Sequence, residues 1–145
     1  MRRALLRAGH DEAEVEAAIA RLRRERVLDD AGLASRFARS RIAHQGLGRR
    51  RIREALREKG VASTVVEAGL AEALRDVSES AALDSQARKY WRLHEREEPR
   101  RRLRRLWAFL LRRGFPADLV HARLRALWPR HQDALEGLEP EEPSE

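Results

Sequence analysis

Arg49, Arg50, Arg51 and Arg53 follow directly on the turn Gly46-Leu47-Gly48 and make the best candidate binding patch in the sequence. Guanidinium forks donate paired hydrogen bonds to phosphate or carboxylate oxygens. The two glycines let the backbone come close to another surface. Cations clustered at a helix start oppose the macrodipole by roughly a few tenths of a kcal/mol each, so something is expected to offset them. A binding patch is the preferred reading, against an ordinary solvated face. Arg36, Arg39 and Arg41 form a second group, spread over more than one face of a helix. Arg41 shares the side of Phe37, so its stem lies across apolar surface and its head reaches out or pairs with Asp29 or Asp30. Structural use is preferred for this group, with Arg36 and Arg39 kept as binding candidates. In the third group, Arg100 to Arg105, the arginines are interleaved with Leu103, Leu106 and Trp107. On a helix the apolar residues turn inward, leaving Arg101, Arg104 and Arg105 as outward candidates for contact with nucleic acid or protein.

Other chemistries find no support. His10, His44, His94, His121 and His131 show no ligand spacing, so no metal is expected. Gly46-Leu47-Gly48 has no preceding strand and is neither a dinucleotide fingerprint nor a P-loop, so no cofactor is expected. No serine sits in a nucleophile elbow. Asp29-Asp30 reads as a helix N-cap rather than a catalytic acid pair. Trp91, Trp107 and Trp128 could stack on unpaired bases, but their spacing with Leu and Ala assigns them to the core. No catalytic residue, and no enzyme, is expected.

The elements that position these arginines are helical. The 145 residues are dominated by Ala, Leu, Arg and Glu, and no segment alternates with a period of two. The net charge of +7 suits a phosphate backbone or an acidic protein surface. Cysteine is absent, which excludes disulfides and thiolate metal sites. The start lacks the apolar segment of a secretory signal, and no run approaches the ~20 apolar residues of a membrane span, so a cytoplasmic protein is expected. Aligned on Gly9, Gly60 and Gly114, the chain repeats itself: Val15, Val66 and Val120 recur, then Ile19, Leu70 and Leu124, then Leu22, Ala73 and Leu127. The unit is about 50 residues long. Each glycine suits a left-handed helix C-terminus. Asp11, with Glu14 behind it, and Ser63 suit the N-cap that follows, and Pro116 a first helical turn. The expected divisions are residues 1–45 (first helix shortened), 46–97 and 98–138, then a disordered acidic tail at 139–145. The fold class is all-α: tandem three-helix, helix-turn-helix-like repeats in an elongated, curved body, roughly 70 Å long at ~8–10 Å helix spacing.

From Val27 to Val61 the sequence resembles the RecX family, bacterial modulators of the RecA recombinase. The resemblance is carried by Leu28-Asp29-Asp30, Phe37-Ala38, Arg41 with the Gly46/Gly48 turn, and Ile52, Leu56 and Gly60. Ala87-Arg88-Lys89-Tyr90 and Leu110-Leu111-Arg112-Arg113-Gly114-Phe115 extend it, so that it runs from about Leu5 to Leu135. It implies tandem three-helix repeats without catalysis, bound in the groove of the RecA–DNA filament. It further implies inhibition of strand exchange, ATP hydrolysis and coprotease function in DNA repair and the SOS response. The expected partners are the RecA filament and DNA, single- or double-stranded, without sequence preference; no membrane and no small-molecule substrate are expected. The rival is a helix-turn-helix transcriptional regulator reading base edges, which the rarity of Gln and absence of Asn disfavour.

Overall fold

The computed structural model describes residues 11–138, apart from the side chains of residues 27 and 28. The expectations placed on Gly9 and on the acidic tail lie outside the described residues. Six α-helices follow one another among the described residues: α1 (Glu12–Gln45), α2 (Arg49–Glu58), α3 (Ser63–Asp76), α4 (Glu79–Leu93), α5 (Pro99–Arg112) and α6 (Ala117–Leu127). A 3₁₀ segment, Pro129–Leu135, closes the series. No strand occurs among the described residues, and the all-α repeat architecture is the observed one.

Where the helices start and stop follows from the glycines. Gly60 (φ +83°) and Gly114 (φ +95°) both take the left-handed conformation that a Cβ makes costly. After each, the chain closes the same C-terminal motif: Val61 N–H donates to Leu56 C=O at 3.1 Å and Phe115 N–H to Leu110 C=O at 3.3 Å. Val61 and Phe115 are thereby driven into the cores. The N-cap then falls two residues after each glycine, on Ala62 and Pro116. Asp11 stands in the same register after Gly9, and its carboxylate accepts from Glu14 N–H at 2.7 Å. The expected cap at Ser63 is thus corrected by one residue: Ser63 begins the helix, because a two-residue turn carries a buried Val61 followed at once by the cap. Pro116 is likewise the cap itself.

A second correction concerns α1. Asp29-Asp30 does not cap a separate helix; both lie inside one helix of 34 residues. Nothing between Glu12 and Ala31 is Gly or Pro, and Gly32 alone, at about 1 kcal/mol against Ala, is too weak a breaker. The helix stops at Gly46 (φ +60°), whose N–H returns to Arg41 C=O.

Two buried clusters organise these helices. Ala34, Ala38 and Ile42 of α1 pack with Ile52 and Leu56 of α2 and with Val65, Val66, Leu70 and Ala73 of α3. Leu83 and Ala87 of α4 pack with Leu103, Leu106, Trp107 and Leu110 of α5, Val120 and Leu124 of α6, and Ala134 and Leu135 beyond it. Ala82 touches both clusters. The three-helix cores therefore group the helices in a frame offset from the glycine-to-glycine recurrence. Val15, Val66 and Val120 are all buried, whereas Leu22 is 45% exposed where Ala73 is sealed. Trp107 is buried, and Trp91 and Trp128 pack on each other with centroids 4.6 Å apart, so the tryptophans are structural.

The two cores are joined backbone to backbone. Gly48 N–H donates to Arg113 C=O and Arg50 N–H to Gly114 C=O, both at 2.9 Å. A Cβ on Gly48 would lie 2.3 Å from the Gly114 carbonyl carbon, and one on Gly114 2.4 Å from Arg51 Cβ. Neither obstacle is a flexible side-chain end, so the turns must separate to admit a methyl group.

Gly48→Ala should therefore destabilise the fold by about 2–3 kcal/mol as an overpacking change. Gly60→Ala, with nothing within 4 Å of the new methyl, should cost only the backbone conformation, about 1–2 kcal/mol. Urea unfolding of the two variants checks the order; equal losses would mean that the contact at Gly48 is not tight in solution.

Candidate functional site

The arginines after the Gly46-Leu47-Gly48 turn begin α2, a helix with no side-chain cap of its own. Two of its first N–H groups, those of Arg49 and Arg50, are satisfied from the other core instead. Glu79, 5% exposed at the start of α4, accepts from Arg49 N–H at 2.8 Å and from the Arg49 guanidinium at 2.9 Å. A buried carboxylate at the helix N-terminus is what offsets the clustered cations there. The glycines do allow a close approach, but the surfaces approached are the chain's own: the Gly114 turn at Gly48 and the Gln86 side chain at Gly46. Arg51 donates to Arg112 C=O at 3.0 Å, and Arg113 donates to Gly46 C=O at 3.0 Å and also to Gln45 C=O. Burial pulls the Arg113 guanidinium below its ordinary pKa, and the neighbouring Arg51 charge adds to the same shift.

The structure sorts the nine candidate arginines into paired and unpaired. Arg39 pairs with Glu72 at 3.2 Å and Asp76 at 2.8 Å, tying α1 to α3. Arg49 pairs with Glu79. Arg53 forms a two-point pair with Glu67, at 2.5 and 3.2 Å, and this hydrogen bonding holds the Glu67 carboxyl below its usual range. Arg105 pairs with Glu97 at 2.5 Å. Arg104 reaches Ala134 C=O at 3.4 Å, and Arg51 reaches only a carbonyl. Arg36, Arg50 and Arg101 are exposed, with no carboxylate within 4.0 Å among the described residues. Arg41 lies over Phe37 at 4.6 Å, on the apolar side expected, and not against Asp29 or Asp30.

One site brings several of these groups together. An open cleft of about 860 Å³ lies beside the junction, lined by Arg50, Arg51, Arg53 and Arg57 of α2 and by Leu111, Arg112 and Gly114 at the end of α5. Glu54, Glu58 and Glu67 are also on its wall, and Arg53 neutralises Glu67. Arg50, Arg57 and Arg112 have no carboxylate within 4.0 Å among the described residues. Arg101, Arg104 and Arg105 lie further back along α5, and Arg36 on α1; neither set lines this cleft. Arg57 and Arg112 are the additions that sequence reasoning missed. Their only advance signal was position, since each sits on the helical turn before a repeat glycine.

Other groups are architectural. Arg102, 8% exposed, stacks on Trp91 at 3.8 Å and donates to Trp91 C=O. Burial lowers its pKa, against the pull of Glu95 and Glu97. Arg123 and Asp84 form a two-point pair at 2.9 and 2.7 Å between α6 and α4. Glu98 caps α5, accepting from Arg100 and Arg101 N–H at 3.0 Å, which lowers its pKa. No cluster of three His, Cys, Asp or Glu that could hold a metal occurs among the described residues. No described helix is long and apolar enough to cross a membrane.

Glu79→Ala should cost about 1–3 kcal/mol in urea unfolding, since it leaves a helix-terminal N–H without its acceptor, while the Arg49 side chain, 41% exposed, can turn to water. A loss under ~1 kcal/mol would show Glu79 to be an ordinary surface pair. The Glu98 cap stabilises α5 fully above the ordinary carboxyl value of 4.5 and is lost as pH falls through the lowered folded value. Glu98→Gln should therefore flatten the acid limb of the stability–pH curve; an unchanged limb would contradict the cap.

Family comparison matches residues 29–70 to the second three-helix domain of RecX and residues 78–124 to the third. These spans agree with the two buried cores. A regulatory protein RecX of Amycolatopsis mediterranei is 33% identical over 125 residues, covering 86% of this chain and 71% of its own length. That of Pelodictyon phaeoclathratiforme is 34% identical over 145 residues, covering 99% and 83%. That of Halorhodospira halophila is 37% identical over 130 residues, covering 84% and 73%. No solved structure matches the chain.

Proposed function

We propose that this chain, which belongs to the RecX family of regulatory proteins, binds the RecA–DNA filament in its groove and mainly inhibits it. The inhibited activities are ATP hydrolysis, strand exchange and coprotease function, and the setting is cytoplasmic DNA repair and the SOS response. The observation that carries this reading is the junction cleft, where Arg50, Arg57 and Arg112 lack acidic partners and project from two helices whose ends are tied together by backbone hydrogen bonds. Unpaired guanidiniums on a rigid frame meet phosphate or carboxylate oxygens without first breaking an internal pair.

Of the three sequence units, 1–45, 46–97 and 98–138, the second and third supply the cleft, and Arg36 and Arg101 extend the cationic surface away from it. Arg39, Arg49 and Arg53 act on this reading by fixing the frame, and Arg51, Arg104 and Arg105 by flanking the contact. Several weak contacts along one filament add through effective concentration, so no single residue need dominate. DNA is gripped through phosphates alone, which gives salt-sensitive and sequence-blind binding. The protein performs no chemistry of its own and takes no cofactor or small substrate; its effect is steric, through occupancy of the groove.

Purified chain added in stoichiometric amounts to RecA on single-stranded DNA should depress ATP hydrolysis and strand exchange. An Arg50→Ala/Arg57→Ala/Arg112→Ala variant should need at least about tenfold more protein, each lost phosphate contact also flattening the salt dependence by roughly one unit of slope. Unchanged rates with the wild-type chain would remove the reading.

A further inference from the structure

On the far side of Arg51 from the arginine cleft lies a second, smaller hollow of about 490 Å³ with a different character. Phe37, Leu47 and Ala55 supply apolar surface over the sealed Ile52, Arg41, Arg51 and Lys59 supply the cations, and Glu54 and Glu58 stand on the wall as well. Arg41 and Lys59 converge on one aromatic ring: the guanidinium carbon stands 4.6 Å and the ammonium nitrogen 5.0 Å from the Phe37 centroid. Neither has a carboxylate within 4.0 Å among the described residues. The ring's negative face attracts both cations, but it accepts no conventional hydrogen bond, so their N–H groups are left to water or to a ligand. Two like charges held near one ring also repel each other, and an anion that both can reach would relieve that repulsion.

We infer that the Phe37 hollow is a docking site for a protein segment carrying an aliphatic side chain next to a carboxylate. The side chain would rest on Leu47, Ala55 and the edge of Phe37, and the carboxylate would accept from Arg41 and Lys59. Nucleic acid fits this hollow poorly for two reasons on the same wall. The Phe37 ring that a base would need for stacking is already occupied by two cations. Glu54 and Glu58, which line both hollows, stand on the path that a continuous phosphate backbone would take from the cleft. The same two acids also repel a carboxylate, but a single one held by Arg41 and Lys59 meets that repulsion once rather than at every phosphate. The chain thus divides its recognition at Arg51, with phosphate on the cleft side and partner protein on the Phe37 side. The identity of that partner rests on the RecX reading; the chemistry of the hollow does not.

The test uses a fluorescein-labelled peptide with one leucine next to a single glutamate, titrated with the full chain and followed by anisotropy. Saturable binding is expected, weakened about tenfold or more by Phe37→Ala and by Lys59→Glu. The Lys59 substitution lies on an exposed position and leaves the core intact. Arg57→Ala and Arg112→Ala, in the cleft, should leave the peptide affinity within about twofold while weakening retention of a DNA oligonucleotide. No saturable binding to the wild-type chain overturns the inference, as does a loss of peptide binding that is equal in the cleft variants. If the peptide behaves as expected but the wild-type chain leaves RecA activity untouched, the hollow stands and the RecA reading falls.

Discussion

The mutual docking of the Gly46-Leu47-Gly48 turn and the Gly114 turn is the constraint on which the rest of this structure depends. It brings two polypeptide backbones into direct hydrogen bonding, Gly48 to Arg113 and Arg50 to Gly114, at a separation that no Cβ would permit. Backbone contacts of this kind have only the freedom of the peptide planes themselves, unlike contacts through long side chains. The angle between the two three-helix cores is consequently set where α2 begins. Glu79 reinforces the joint from α4 by neutralising Arg49 and capping α2 together.

This joint explains why some arginines serve architecture and others are left without an internal partner. An exposed ion pair is worth roughly 0–1 kcal/mol, so pairs such as Arg21–Glu25 and Arg105–Glu97 contribute little to stability. The pairs that reach a part-buried acid or a backbone carbonyl between cores are of another kind, because breaking one leaves an unsatisfied group out of water. Arg49, Arg113 and Arg123 belong there. With those positions committed to the frame, Arg50, Arg57 and Arg112 have no internal use and face the cleft. A high arginine content thus resolves into a scaffold and a surface.

Much of the fold was legible in the sequence because it rests on local rules. Left-handed glycines at 60 and 114, the burial of Val15, Val66 and Val120, and the Asp11 cap all follow from short-range chemistry. Long-range chemistry was not legible. That Glu79 would reach Arg49, or that the 46–48 turn would close on Gly114 across more than sixty residues, depends on how two cores meet; no periodicity encodes it. The same limit explains the site. Close approach at Gly46 and Gly48 was readable, but its object was internal, and Arg57 and Arg112 join the cleft only because the joint folds α2 against the end of α5. The Asp29-Asp30 pair failed for a local reason: residues that favour caps can also sit in a helix that nothing else interrupts.

A filament presents the same contact surface at regular intervals, and a regulator built from rigidly joined modules can match such a spacing without ordering itself on binding. On the proposed reading, rigidity at the joint is the property that would convert scattered arginines into a recognition surface. Native-state amide hydrogen exchange of the free chain addresses it most directly, at the Gly48 and Arg50 amides. Protection comparable to that of the α3 and α5 core amides is predicted, since both N–H groups are tied to the opposite core. Exchange at the rate of open loop amides would contradict a fixed joint and, with it, the pre-set cleft.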